Sequence, residues 1–73
     1  MNYDEYLEVV ITDADRKEFF YWILTNDEDE AVSKALERHV ELGLSYIDDE
    51  EEGVFPMAYE VIEANKEVAT VIE

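Results

Sequence analysis

The sequence predicts an α+β domain: a small antiparallel sheet, ββαββ in chain order, with one amphipathic helix packed on one face. Three observations predict it. Phe19-Phe20-Tyr21-Trp22-Ile23-Leu24 is a run of six large apolar residues without Gly or Pro, the composition of a strand covered on both faces. Residues 28–42 repeat apolar positions at three and four, as a helix does. A two-stranded hairpin beside a helix is marginal, so the β-branched tail is expected to supply more sheet.

The first strand is read at 6–12, with Leu7, Val9 and Ile11 on its apolar side and Tyr6, Glu8, Val10 and Thr12 on its mixed side. Asp13-Ala14-Asp15-Arg16-Lys17 opens with turn chemistry, because Asp side chains bond nearby backbone N–H groups. It closes a hairpin onto a second strand at 19–25. A two- or four-residue loop sets Leu7, Val9 and Ile11 beside Phe20, Trp22 and Leu24, making one apolar face for the helix. A one-residue slip exchanges the partners. Whichever face is left over needs a second copy, a partner or a lid from the tail.

Asp27, with Glu30 three residues on, forms a capping box, and clustered acids suit the positive helix end. The helix is expected from 28 to 42, with Ala31, Val32, Ala35, Leu36, His39, Val40 and Leu42 as its stripe and Gly43 as its left-handed C′ residue. Residues 48–53, Asp48-Asp49-Glu50-Glu51-Glu52-Gly53, read as an extended, solvated acidic loop held open by repulsion. The tail fits strands at 58–64 and 67–72 turning around Asn65-Lys66, and also a helix started by Pro56. Val-Ala-Thr-Val-Ile is a poor helix end, which favours strands.

Seventy-three residues make one domain near the size where a lone core only just outweighs chain entropy. With no cysteine there is neither a disulfide framework nor a thiolate metal site. The Met1-Asn2-Tyr3-Asp4-Glu5-Tyr6 start lacks the basic and apolar regions of a signal peptide, and no stretch approaches a membrane span. A soluble, cytoplasmic protein is expected. The formal net charge is −16, from 21 acidic and five basic residues. Such a field repels nucleic acid and anionic membranes and attracts basic proteins. Composition that is 48% hydrophobic, with nine aromatics, marks a folded core.

The residues for catalysis are missing. There is no Gly-rich phosphate loop, nucleophile motif or His/Cys cluster, so the reading is non-enzymatic, with no cofactor and no metal. Asp13-x-Asp15 fails as a calcium loop, because Glu18 and Leu24 stand where Gly and a bidentate Glu are needed. His39, the only histidine, reads as a half-buried helical residue near the negative helix end.

The acids have a useful pitch. Glu37 and Glu41, one helical turn apart, lie ~6 Å from each other, and alternate strand residues ~6.6 Å, spacings comparable to those of backbone phosphates. In size, charge and ββα layout the chain resembles the small phage-encoded inhibitors that act as DNA mimics, among them anti-CRISPR, anti-restriction and uracil-DNA-glycosylase inhibitor proteins. Residues 26–37 also look like the strand-to-helix junction of small phage proteins. The resemblance implies an inhibitor that binds a basic nucleic-acid-binding protein, in a host cytoplasm if phage-encoded, and binds no nucleic acid itself. The residues expected to contact the partner are Glu37, Glu41, Asp48, Asp49, Glu50, Glu51 and Glu52, with Phe19 and Tyr21 as apolar anchors. The alternative is a homodimer joined through Tyr6, Val10, Phe19, Tyr21 and Ile23, its charge serving solubility.

Overall fold

The structure, a computed structural model, describes residues 3–73; the Met1-Asn2 start used in the leader argument lies outside them. Its elements are β1 (Tyr6–Thr12), β2 (Glu18–Leu24), α1 (Glu28–Glu41), β3 (Met57–Glu60), a short 3-10 turn (Glu63–Asn65) and β4 (Thr70–Ile72). The fold is α+β, as expected, in the expected chain order. The sheet is mixed, however, with spatial order β3-β1-β2-β4 and a parallel β2–β4 pair.

The β1–β2 turn sets the register. Asp13 Oδ1 accepts the backbone N–H groups of Asp15 and Lys17, both at 2.9 Å. The Arg16 N–H donates to the Asp13 carbonyl, and Arg16 takes a φ of 67°, the left-handed conformation that closes three-residue hairpin loops. An odd loop, rather than two or four residues, pairs Leu7 with Ile23, Val9 with Tyr21 and Ile11 with Phe19. The helix-facing side is therefore the reverse of the one expected on β2. Phe19, Tyr21 and Ile23 join Leu7, Val9 and Ile11 under α1, while Phe20, Trp22 and Leu24 join Tyr6, Glu8 and Val10 on the far face.

This register also gives both aromatic heteroatoms a partner, which buried polar atoms require. On the helix side the Tyr21 hydroxyl meets His39 at 2.7 Å. On the far side the Trp22 indole N–H donates to Glu8 Oε1 at 2.9 Å. Among the described residues, no buried side-chain nitrogen or oxygen lacks a partner.

Helix α1 begins as its residues dictate. Asp27 Oδ1 caps the N–H groups of Asp29 and Glu30, but the Glu30 carboxylate turns to Lys34 at 3.0 Å instead of completing the box. At the other end Leu44 N–H reaches the His39 carbonyl and Gly43 N–H the Val40 carbonyl, with Gly43 at φ 77°, a Schellman closure. The helix buries Ala31, Ala35 and His39, with Val32 and Leu36 half-buried beside them. Small alanines leave room for Ile11, Tyr21 and Ile23 from the sheet. Val40 and Leu42, expected in the stripe, stay exposed.

The tail forms neither the expected hairpin nor a long helix. β3 pairs antiparallel with β1 and β4 parallel with β2, at opposite edges of the sheet. This adds Ala58 and Ile72 to the core at both margins, which a hairpin on one edge could not do. Chain 61–69 therefore crosses the face opposite α1. The passages β2-α1-β3 and β3-(61–69)-β4 run in opposite directions across the sheet, and lying on opposite faces gives them the same hand. The second crossing is pinned by Asn65, whose Nδ2 donates to Glu8 Oε1 at 3.1 Å and Oε2 at 3.2 Å. Tyr3 stacks edge-on against Trp22, and the Tyr6 hydroxyl donates to Glu73.

Glu8 is 1% exposed and holds β1, β2 and the crossing together. Glu8→Ala leaves the Trp22 and Asn65 donors without an acceptor and is expected to destabilise by about 2–4 kcal/mol. Glu8→Gln, which keeps one acceptor oxygen, should cost less than half as much. Urea unfolding followed by Trp22 fluorescence measures both; equal costs would show that one acceptor oxygen does not hold the contact and would contradict the expectation.

Candidate functional site

The acidic run is a closed turn rather than an extended loop. Asp49 and Val54 exchange two backbone hydrogen bonds, at 2.7 and 2.9 Å. Asp49 Oδ1 accepts the N–H groups of Glu51 and Glu52, and Gly53 supplies the positive φ of 76° that brings the chain round. Local backbone bonding outweighs repulsion between carboxylates that face water. Two contacts fasten the turn to the β1–β2 end of the sheet: Ile47 N–H to the Thr12 carbonyl at 2.8 Å, and Arg16 to Glu52 at 3.1 Å. Asp48, Glu50, Glu51 and Glu52 are exposed, and Asp49 is partly covered by its capping role.

Glu37 and Glu41 are exposed on α1 but form no single patch with that turn. They line a shallow groove with Lys34, Arg38, Ile72 and Glu73, along the β4 edge. Arg38 lies 3.9 Å from Glu41 and Lys34 pairs with Glu30, so this stripe is mixed in sign. The acidic turn instead adjoins Val54, Phe55 and Tyr59, on the β3 side.

Of the two expected anchors, Tyr21 is 1% exposed and so not an exposed anchor, and Phe19 is half-buried. Both rings lie edge-on to His39, with centroids 5.0 Å away for Phe19 and 5.8 Å for Tyr21. His39 itself is fully buried, more so than expected. Its Nε2 lies 2.7 Å from the Ser45 carbonyl, which can only accept, so Nε2 carries the hydrogen. In the neutral ring Nδ1 then accepts the Tyr21 hydroxyl. The pair fastens α1 and the chain after it to β2 and has no opening through which a substrate could reach it.

The expected dimer face is divided for the same reason: Tyr6 and Val10 point away from α1, and Phe19, Tyr21 and Ile23 point toward it. What stays partly open instead is one row of the far sheet face. Met57 sits opposite Val10, Val10 opposite Phe20, and this row is only half-covered beside the 61–69 crossing, whose anchor is on the neighbouring Glu8 row. Tyr59 and Ile62 border it, 47% and 54% exposed. Only the register, and hence the loop parity, reveals this surface; the single clue in the sequence was Glu8 within an otherwise apolar strand.

Among the described residues no three His, Cys, Asp or Glu side chains are arranged to hold a metal ion, and no helix is long and apolar enough to cross a membrane. Comparison of the chain with protein-family models, with curated proteins and with solved structures finds no match.

Two tyrosines make the fold sensitive to alkali. Burial raises the Tyr21 pKa above the ordinary value of about 10, with Arg38 pulling it partly back. The hydrogen bond to Glu73 raises that of Tyr6. Both shifts contribute stability that is complete below the unfolded-state value and is lost as pH rises through the folded-state values. Absorbance titration at alkaline pH should show Tyr21 ionising above the ordinary tyrosine range and together with loss of the far-UV CD signal. A Tyr21 that ionises with the exposed tyrosines would contradict its burial.

Proposed function

We propose that the protein is an acidic binding protein of the cytoplasm that occupies the nucleic-acid-binding surface of a basic partner and blocks it, presenting carboxylates where phosphates would lie. The observation that supports this most is uncompensated charge on a fastened backbone. Against 21 acids stand five basic side chains, of which Arg16, Lys34 and Arg38 already face carboxylates. The acidic turn is held at both its base and its tip by hydrogen bonds, so the backbone carrying its carboxylates is already ordered and binding has to order only the side chains. Charge of this kind accelerates encounter and selects cationic partners more than it adds affinity. The mixed-sign stripe at Glu37 and Glu41 is the weaker part of the surface, and the turn at 48–52 the stronger.

The test is competition. The immobilised protein is expected to retain sequence-independent DNA-binding proteins at low salt, and duplex DNA should displace them. Reversing two charges, Glu50→Lys with Glu51→Lys, should weaken binding about 5- to 30-fold at low salt and far less near 1 M salt. Glu37→Lys with Glu41→Lys should have a smaller effect. Retention that DNA cannot displace, or none at any ionic strength, would refute the proposal.

A further inference from the structure

We propose that the partly open sheet face opposite α1 seats a cationic, amphipathic segment of the partner, a stretch with apolar side chains on one side and Lys or Arg on the other. This rests on the reading above and names the surface it uses.

The floor is apolar and built by register. Met57, Val10 and Phe20 stand in one cross-strand row, and Tyr59 and Ile62 rise beside it. The 61–69 crossing forms one wall, anchored by Asn65 on Glu8. The space beside it is about 330 Å³ and shares Val10, Glu18 and Tyr59 with a second depression that runs on to Gly53, Val54 and Phe55, at the foot of the acidic turn. An apolar trough thus runs to the foot of the acidic turn, with the Glu18 carboxylate at its margin.

Charge decides the occupant. A second copy would itself carry a net charge of −16 and would be repelled, as would nucleic acid or an anionic membrane. A purely cationic chain would leave the floor uncovered. A segment with both characters covers Val10 and Phe20 and places its cations beside Glu18 and the acidic turn. Phe20 and Tyr59 supply the aromatic surface on which interface anchors and Arg guanidinium groups settle.

Two synthetic peptides of one Lys/Leu composition serve as probes, one ordered to be amphipathic as a helix and one scrambled, with oligolysine of equal charge as a third. The amphipathic peptide should bind about 10-fold or more tightly than its scrambled form at about 0.15 M salt. Amide shifts should concentrate at Val10, Phe20, Tyr59 and Ile62. Tyr59→Ser with Ile62→Ser, both at exposed positions, should remove that preference and leave oligolysine binding and the far-UV CD spectrum unchanged, whereas Glu37→Gln with Glu41→Gln should preserve it. Equal affinity for the ordered and scrambled peptides would overturn the groove while leaving the charge-driven reading standing. Failure of all three cationic probes to bind at low salt would overturn both. Sedimentation showing a dimer that the Tyr59/Ile62 double variant dissolves would assign the face to a second copy instead.

Discussion

Asp13 reaches forward with one carboxylate oxygen to two backbone N–H groups, and the pairing of β1 with β2 at the centre of the sheet depends on that contact. It stabilises a three-residue loop, and an odd loop puts Tyr21, not Trp22, under the helix. From that parity follow the Tyr21–His39 bond within the core, the Trp22–Glu8 bond on the far face and the covering of Glu8 by Asn65. A loop one residue shorter would turn Trp22 toward the helix and Tyr21 to the far face, and the Tyr21–His39 and Trp22–Glu8 hydrogen bonds would both be lost.

The two kinds of acid have different work. Asp13, Asp27 and Asp49 each accept two backbone N–H groups through one oxygen, at the hairpin, the helix start and the acidic turn. The short Asp side chain reaches the backbone just ahead of it, as the longer Glu does less readily. The glutamates, apart from buried Glu8, mostly stand in water. Much of the negative charge is therefore carried on a backbone that other carboxylates have already fastened, which is how so acidic a chain keeps a defined surface.

The two crossings divide the sheet unequally. Helix α1 seals one face with small residues over large ones. The passage 61–69 has no fully buried residue and seals only the row at Glu8. Val10 and Phe20 are left half-covered beside exposed Tyr59, and this incomplete closure leaves apolar surface near the acidic turn.

Strand, strand and helix were legible in the residues themselves, because aromatic and β-branched runs, the Asp27 cap and the Gly43 stop act over a few neighbouring positions. The acidity was legible too, since charge adds up without regard to fold. The side of β2 that is buried, the separation of β3 from β4 and the closing of the acidic run into a turn were decided only by tertiary structure. Each depends on contacts between residues far apart, Glu8 with Asn65, Tyr21 with His39 and Thr12 with Ile47, which no local pattern contains. Sequence therefore determined the local elements and the charge, and the folded sheet determined which side chains are buried and which stay half-covered, because register is set by contacts between distant residues.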